Sequence, residues 1–329
     1  MNFLLHPPRH ILLIKPSSMG DVIHALPVAT ALHETWPEAE ISWLIQPAFK
    51  DLVESHPAIS KTILFPREEF RGFFGGIRAL KWANSLGNLK PDLALDLQGL
   101  LRSALMARAA RADDVMGLSD AREGASFFYS SIATVNPNNH AVVRYMALVK
   151  ALGCVSSGPI FHLPSGKMPL NFAIQTPFIV IHPYARGHGK NLTQEQVIAL
   201  ARALMGFSVV IVGQGKKMEN LPENVSDWTG RTSVLELIGL LRKASFVLSS
   251  DSGPMHLAAA LQPERLIAIH LWSDPLRIGP WPLESLVWKH GQLKLHHQLT
   301  EESRLPGRTP SLEEMSALGR FVLAKLNKI

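Results

Sequence analysis

A repeated order of short apolar runs, polar turns and helix-length segments constrains the fold of this 329-residue chain more than any other feature. In the first half, an apolar run at 11–14 is followed by a turn at 15–21 and a helix-length segment at 22–35. A second apolar run at 41–45 completes the unit. This order predicts two parallel strands joined by a right-handed helical crossover.

The same pattern continues along the first half. The helix predicted at 22–35 is expected to be amphipathic, with Val22, Leu26, Ala29 and His33 on one face, and Pro37 ends it. Another buried strand is predicted, with a helix after it. They occupy residues 93–97 and 103–110.

The second half repeats the alternation of strands and helices. Its predicted strands are 178–181, 208–212, 246–249 and 266–270, and its predicted helices are 193–205, 233–243, 254–261 and 311–326. A Pro/Gly-rich stretch from Pro164 to Pro177 indicates a linker. We therefore expect an α/β fold of two doubly wound, Rossmann-like domains, 1–165 and 166–329, facing a central cleft. The last helix is expected to pack back on the first domain.

Composition narrows the class of protein. Hydrophobic residues make up 47% and charged residues 18%, which excludes a disordered chain or a coiled coil. The single Cys154 excludes a disulfide framework. No apolar run approaches the roughly 18–20 residues that a membrane span needs. The polar start, with His6, Pro7 and Arg9, is unlike a signal peptide, so we expect a cytoplasmic protein.

The net charge of +6 is spread rather than clustered. Residues 1–165 carry 15 basic and 14 acidic side chains, and residues 166–329 carry 18 and 13. Without a basic run or interleaved aromatic residues, nucleic-acid binding is disfavoured. Mild basicity suits an anionic small substrate or an anionic membrane surface.

Several well-known motifs are excluded by spacing. Gly189-Lys190 has Tyr184 where a Walker A loop needs glycine, and Gly213-Gln214-Gly215 reaches Met218 where a dinucleotide fingerprint needs Gly or Ala. The chain contains no Asp-x-Asp and no Cys/His metal-ligand spacing. The absence of these motifs disfavours an ATPase, a standard NAD enzyme and a zinc hydrolase. It also disfavours binding of a diphosphate through a chelated metal ion.

Two polar turns carry candidate chemistry. Ser17-Ser18-Met19-Gly20-Asp21 follows a strand, and Asp21 is either a helix-capping carboxylate or a general base for an acceptor hydroxyl. Ser250-Asp251-Ser252-Gly253-Pro254-Met255-His256 follows another strand, where glycine and proline favour exposed amides that bind an anion. Taken alone, His256 is more typical of a helix-packing histidine than of a ligand.

Two further loops follow strands of the second half. The stretch from His182 to Lys190 mixes Arg, His, Lys and Gly, which suits either a solvated loop or a cover over a diphosphate, with Lys190 as a point charge. The stretch from Ser273 to Pro280 is typical of a turn when taken alone.

Together these segments resemble a known family. The residues from Lys15 to Pro27 resemble the opening of the lipopolysaccharide heptosyltransferases, glycosyltransferase family 9, and those from Asp251 to Leu261 resemble its donor signature. Asp274-Pro275 with Arg277 and Gly279 resembles its third motif, although Trp272-Ser273 stands where the family more often has Pro-Thr. Four middle segments resemble the members that add the first heptose to Kdo. They are 96–104, 121–123, 128–129 and 140–142.

The resemblance implies a GT-B fold with an N-terminal acceptor domain and a C-terminal nucleotide-sugar domain. It implies inverting, metal-independent transfer from ADP-L-glycero-β-D-manno-heptose to a Kdo residue of the lipopolysaccharide inner core, with no cofactor. The implied partners are ADP-heptose, a Kdo-lipid A acceptor and the inner leaflet of the cytoplasmic membrane. The enzyme would be peripheral on that cytoplasmic face and would bind no nucleic acid.

The resemblance also implies roles for individual residues. Asp21 matches the catalytic base and Lys190 the diphosphate lysine. The expected donor-binding residues are Asp251, Ser252, Gly253, Pro254, Met255, His256, Arg186, Glu219 and Thr232. The expected acceptor-binding residues are Ser17, Ser18, Gly20, Arg67, Arg71, Gln98, Arg122 and His140.

Other functions remain open at the sequence level. A family 9 transferase could act at the second heptose step or use another donor sugar. A non-catalytic nucleotide-sugar binding protein would keep the Asp251 segment without needing Asp21. The presence of both segments favours an enzyme.

Overall fold

A computed structural model describes residues 6–174, 177–187 and 189–327 of the chain. The chain divides into two compact units, Met1–Pro164 and Ser165–Ile329. Each unit has its own parallel sheet and its own buried apolar core.

The first unit is built on a six-stranded parallel sheet. Its spatial order is β3-β2-β1-β4-β5-β6. The strands are β1 (His10–Ile14), β2 (Glu40–Ile45), β3 (Lys61–Leu64), β4 (Leu93–Asp96), β5 (Asp114–Leu118) and β6 (Ser131–Ala133). Because the order reverses between β1 and β4, this unit is doubly wound, and the reversal opens a crevice at the carboxyl ends of those strands.

Five helices accompany this sheet within the described residues. They are α1 (Met19–Thr35), α2 (Lys50–Val53), α3 (Gly75–Leu86), α4 (Leu101–Ala109) and α5 (Ala141–Ala151). The amphipathic prediction for the first helix is wrong, because α1 is buried on every face from Gly20 to Leu32 apart from Asp21. Helices α2 and α5 lie against it, and Thr30 donates a hydrogen bond to the Ile160 carbonyl. Its uniformly apolar surface is what such enclosure requires.

The second unit has a seven-stranded sheet of order β13-β12-β11-β10-β7-β8-β9. Neighbouring strands of this sheet are parallel, except that β13 runs antiparallel to β12. The strands are β7 (Phe178–His182), β8 (Ser208–Ile211), β9 (Val225–Asp227), β10 (Phe246–Ser250), β11 (Leu266–Ile269), β12 (Leu286–Lys289) and β13 (Gln292–Leu295). Here the order reverses between β7 and β10.

Five helices belong to the second unit within the described residues. They are α6 (Gln194–Arg202), α7 (Val234–Lys243), α8 (Gly253–Leu261), α9 (Pro275–Ile278) and α10 (Leu312–Leu326). The buried residues Met315, Leu318 and Val322 of α10 belong to the core of this unit, and α10 lies against α6. The expectation that the last helix packs back on the first domain stays a prediction.

The predicted strands and helices of both halves are present, with ends within a few residues of the sequence predictions. The structure also contains elements that the sequence analysis did not predict, among them α3, β12 and β13. None of the helices in the described part of the chain is long and apolar enough to cross a membrane.

Candidate functional site

The candidate acceptor residues all follow carboxyl ends of strands in the first unit. Asp21 follows β1, and Gln98 follows β4 across the point where strand order reverses. The others follow β3, β5 and β6: Arg67, Arg71, Arg122 and His140. Because the strands are parallel, these segments share one edge of the sheet, which is where doubly wound folds bind ligands.

Asp21 lies in the first turn of α1 and is held by the preceding serine. The Ser18 backbone N–H and Oγ both donate to Asp21 Oδ2, at 3.1 and 2.8 Å. Its side chain keeps 40% exposure. The capping interpretation is thus observed, and the exposed fraction leaves the carboxylate accessible to an acceptor hydroxyl.

Lys15 is a buried cation that the sequence interpretation missed. Its Nζ lies 4.0 Å from Asp21 Oδ1, donates to the Leu97 carbonyl at 3.0 Å and sits 5.0 Å from the centre of the Tyr145 ring. Burial alone lowers the pKa of Lys15, but Tyr145 and the Asp21 carboxylate outweigh it and raise that pKa. The sequence signal for this buried cation was a lysine placed directly after the apolar run at 11–14.

A buried carboxylate organises the loop after β4. Asp96 Oδ1 accepts hydrogen bonds from the backbone N–H groups of Gln98 and Gly99, while its Oδ2 accepts from Ser103 Oγ and the Tyr129 hydroxyl. Burial raises the pKa of Asp96 against the effect of these donors. The Gln98 side-chain oxygen is buried, and no described residue donates to it.

The remaining acceptor candidates differ in their surroundings. Arg122 is exposed, and its backbone N–H donates to the Gly99 carbonyl at 2.8 Å, so it lies beside the Gln98 loop. Arg67 and Arg71 line a separate cavity near β3. His140 is buried, caps α5 by accepting from Val142 N–H, and lies edge-on to His24. Its observed contacts are structural, and an acceptor role stays a prediction.

The candidate donor residues follow carboxyl ends of strands in the second unit. Arg186 and Lys190 follow β7, and the Asp251 segment follows β10 across the reversal of strand order. Glu219 and Thr232 follow β8 and β9. They therefore share one edge of this sheet, as ligand-binding groups of doubly wound domains do.

Lys190 and Asp251 form the charged centre of this edge. Lys190 Nζ lies 3.8 Å from Asp251 Oδ2, and the Asp251 side chain is only 8% exposed. Burial raises the pKa of Asp251, but nearby His270, His256, Ser273 and Lys190 more than offset it and hold that pKa below its usual range. His188 of the same loop lies outside the described residues.

The N-terminus of α8 provides backbone donors at the same place. Ser252 is the N-cap, and Gly253 and Pro254 open the helix. Ser252 Oγ is 3.1 Å from Nδ1 of the buried His182, and burial lowers the pKa of His182 to about 3. This neutral imidazole lies beside the N-cap of α8, and a helix N-terminus at the end of a strand is an arrangement that suits an anion.

The loop after β8 lies close to His182 and Tyr184 because two of its residues, Gly213 and Gly215, have no side chain. A Cβ at Gly213 would overlap the His182 ring, and one at Gly215 would overlap Tyr184. The Tyr184 hydroxyl donates to the Lys216 carbonyl at 2.7 Å. Glu219, further along the loop, is exposed. Its backbone N–H donates to Gln194 Oε1, leaving its carboxylate at the surface.

The third motif supports the lysine loop through a tryptophan. Trp272 Nε1 donates to the Gly189 carbonyl at 2.8 Å, directly before Lys190. Asp274 caps α9 by accepting from Leu276 N–H and also accepts from Arg304. The turn interpretation of this segment is thus observed, and its aspartate has a structural role.

In the ranges 6–174, 177–187 and 189–327, no group of three or more His, Cys, Asp or Glu side chains is arranged to hold a metal ion. The polar groups at the donor edge are instead a lysine, a carboxylate and helix amides.

Two doubly wound units, one with an accessible carboxylate and one with a cation beside a helix N-terminus, define the class of GT-B glycosyltransferases. The model of the family described as Glycosyltransferase family 9 (heptosyltransferase) matches residues 79–307. The chain belongs to this family and is a heptosyltransferase.

Relatives cover most of the chain at low identity. Lipopolysaccharide heptosyltransferase 1 of Salmonella typhimurium is 29% identical over 288 residues, covering 82% of this chain and 90% of the relative. The lipopolysaccharide core heptosyltransferase OpsX of Haemophilus influenzae is 24% identical over 299 residues, covering 85% and 84%. Lipooligosaccharide heptosyltransferase 2 of Haemophilus ducreyi is also 24% identical, over 311 residues, covering 84% and 87%.

Solved structures of similar fold include two E. coli heptosyltransferases. The E. coli ADP-heptose lps heptosyltransferase II gives a TM-score of 0.71 at 22% identity, covering 96% of this chain and 99% of that one. E. coli heptosyltransferase WaaC with ADP gives 0.69 at 23% identity, covering 97% and 99%. At these identities the likeness establishes the GT-B fold.

Proposed function

We propose that this enzyme transfers a heptose from ADP-L-glycero-β-D-manno-heptose to a Kdo residue of a lipopolysaccharide core precursor, with inversion and without a metal. Relatives are named heptosyltransferases of the lipopolysaccharide core, which supports the class of donor and acceptor. The observation that carries the chemistry is the accessible Asp21 carboxylate, held at the reversal of strand order in the first unit.

On the acceptor side, Asp21 would act as a general base. It removes the proton of a Kdo hydroxyl as that oxygen attacks the anomeric carbon from the face opposite ADP. Lys15 and the Ser18 donors keep the carboxylate in one position. A new C–O bond forms, the bond to the diphosphate breaks, and the proton stays on Asp21.

On the donor side, negative charge develops on the departing diphosphate. Lys190 and the first amides of α8 would stabilise this charge, which in other glycosyltransferases is the role of a divalent cation. Asp251 and the His182–Ser252 contact hold the lysine and the helix end in place. Arg186, Glu219 and Thr232 are proposed contacts of the remaining nucleotide.

The acceptor would be recognised through polar and cationic groups at the same sheet edge as Asp21. The buried Gln98 oxygen can accept from a sugar hydroxyl once a small movement exposes it. Arg67, Arg71 and Arg122 are cations suited to carboxylates and phosphates of a Kdo-bearing lipid. Such a lipid places the enzyme peripherally at the cytoplasmic face of the inner membrane.

The base assignment predicts a large loss of turnover in Asp21→Asn and Asp21→Ala. We expect kcat to fall by about 10²–10⁴, the usual contribution of a general base, while ADP affinity stays within about twofold. Product mass and calorimetric titration with ADP would measure the two quantities. Glu34→Gln, on the exposed end of the same helix, is the matched control. Near-normal turnover in Asp21→Ala would refute the assignment.

The step in core assembly can be tested with two acceptors. The middle segments favour the first heptose, so we expect product from Kdo-lipid A and at least tenfold slower transfer to heptosyl-Kdo-lipid A. The relatives include enzymes of both steps, which makes the second heptose the competing function. Preference for the heptosylated acceptor, read from product mass, would assign the chain to that step instead.

A further inference from the structure

The segment after β3 presents an apolar surface that the proposed reaction does not use. We define the α3 surface as four side chains at the start and outer face of α3. Phe73 is 96% exposed, Phe74 60%, Ile77 56% and Leu80 64%. Ile77 and Leu80 are three residues apart on α3 and so share one face of it, and the Phe73 and Phe74 rings, 5.1 Å apart, lie directly before the helix.

The opposite face of α3 is anchored in the unit. Phe65, Phe70 and Trp82 form an aromatic cluster with ring centres 5.1–5.7 Å apart. Trp82 Nε1 donates to the Leu64 carbonyl, and a Cβ at Gly75 would overlap the Phe70 carbonyl. Helix α3 is therefore fixed by its inner face while its apolar outer face stays in water.

A cavity of about 800 Å³ lies beneath the helix. Its apolar lining comes from the aromatic cluster and from α4, where Leu101 and Leu105 are 37% and 48% exposed. Arg67, Arg71 and Arg102 also line it. The cavity thus has an apolar wall that suits a hydrocarbon chain and arginine side chains that suit an anionic group.

Charge around the surface favours anions. Five cations border the patch and the cavity, against the three carboxylates of Glu68, Glu69 and Glu123, and the Arg71–Glu68 ion pair at 2.6 Å uses one charge of each sign. The cations are Arg67, Arg71, Arg78, Lys81 and Arg102. On α3 itself, Arg78 and Lys81 flank Ile77 and Leu80, and α3 carries no acidic residue. An apolar face flanked by cations is the arrangement of helices that lie in an anionic membrane interface.

We propose that the α3 surface docks on a bilayer containing anionic phospholipid, with the four apolar side chains inserted among the acyl chains and the cations at the headgroups. The purpose assigned to this contact, bringing a lipid-borne acceptor to the sheet edge of Asp21, rests on the proposed function. The membrane contact itself does not depend on the proposed function. Phe73 and Phe74 lie in the segment that follows the carboxyl end of β3, so the start of the α3 surface lies at the same sheet edge as Asp21.

The test is co-sedimentation of the full-length protein with vesicles of phosphatidylethanolamine and phosphatidylglycerol. We expect Phe73→Ser/Phe74→Ser to lower the partition coefficient at least about tenfold, because two large apolar side chains leave the membrane. Leu170→Ser/Val155→Ser is the matched control, since those side chains are 87% and 83% exposed elsewhere. The control pair should bind like the unaltered protein.

A second pair isolates the charge. Arg78→Gln/Lys81→Gln should weaken binding about tenfold at low salt and little on neutral phosphatidylcholine, whereas Arg320→Gln/Lys325→Gln removes the same charge from α10 and should have little effect. Equal binding by the Phe73→Ser/Phe74→Ser protein overturns the proposal. So does a dimer in solution that this variant dissociates, because a second copy would then cover the surface.

Failure of the docking proposal can be separated from failure of the proposed function. On a water-soluble Kdo acceptor without acyl chains, the Phe73→Ser/Phe74→Ser enzyme should keep its kcat/KM, while transfer to vesicle-borne acceptor falls with binding. Absence of transfer by every variant on either acceptor refutes the function and leaves the vesicle-binding result standing. Loss on both acceptors in this variant alone refutes docking as the role of these residues.

Discussion

Individual buried polar residues fix the reactive groups of both units. Lys15 lies beneath Asp21, Asp96 holds the Gln98 loop and His182 holds Ser252. Each is almost completely buried and makes hydrogen bonds to groups of the site, which offsets the cost of removing it from water. The candidate groups at each site are thereby positioned by buried polar neighbours.

Trp272 is a positioning residue for the lysine loop. Its indole N–H is the donor to the Gly189 carbonyl, and Gly189 has a positive φ of 72° directly before Lys190. Trp272→Phe keeps the ring but removes that donor. We expect KM for the nucleotide sugar to rise about threefold to tenfold, the usual worth of one hydrogen bond, with a smaller change in kcat.

Steady-state kinetics with varied donor would measure this change. Trp36→Phe, at the end of α1, is the control for loss of an indole. A fall in kcat without a change in KM would show that Trp272 acts on the chemical step and does not position the lysine loop for binding.

Among the elements, those with local signals were predictable from sequence. Helices α6, α7 and α10 each begin at Thr or Ser with Gln or Glu three residues on, and the structure forms all three capping boxes. Seven strands were predicted from their apolar runs, whereas the buried strands β5 and β12 were not. For α1, periodicity failed because neighbours cover every face, and one sequence does not record what lies against a helix.

The residues of the candidate site were likewise predictable where their signal is local and unpredictable where it depends on distant parts of the chain. The polar turns after β1 and β10 were identifiable because they interrupt apolar segments in a recognisable pattern. Lys15 and the Tyr129–Asp96 bond were not, because they depend on strands distant in sequence becoming neighbours. Helix α3 was missed because its exposed apolar residues obscure the boundary between buried and solvent-facing positions.

At the start of α10, an ion pair makes stability depend on pH. Hydrogen bonds from Arg308 lower the pKa of Glu314 to about 2, and Glu314 also accepts from the Ser311 N–H. Because the folded pKa is below the unfolded value, the stabilisation is full above about pH 5 and is lost as pH falls toward 2. Glu314→Gln should cost about 1–2 kcal/mol at pH 7.

Urea unfolding of both proteins between pH 7 and pH 3 would test this dependence. The difference in unfolding free energy should shrink as the pH falls. Glu313→Gln, at an exposed position in the same turn, is expected to change stability by less than about 0.5 kcal/mol at every pH. A difference that is constant with pH would contradict an ionised Glu314.

For the whole molecule, the two units divide the chemistry by charge. The first contributes a carboxylate held over a buried lysine, and the second contributes a cation and helix amides. The proposed reaction requires a base for the acceptor and a positive environment for the leaving diphosphate, and each unit supplies one of the two.

This division predicts that transfer needs no divalent cation. After removal of metals and in the presence of EDTA, kcat should stay within about twofold of its value in Mg²⁺, because Lys190 and the α8 amides carry the charge compensation. Lys190→Met should lower kcat by about 10²–10³, whereas Lys216→Met, which removes an exposed lysine of the same unit, should have a small effect. If EDTA abolishes turnover by the unaltered enzyme, or if Lys190→Met retains it, the leaving charge is compensated by a group other than the lysine.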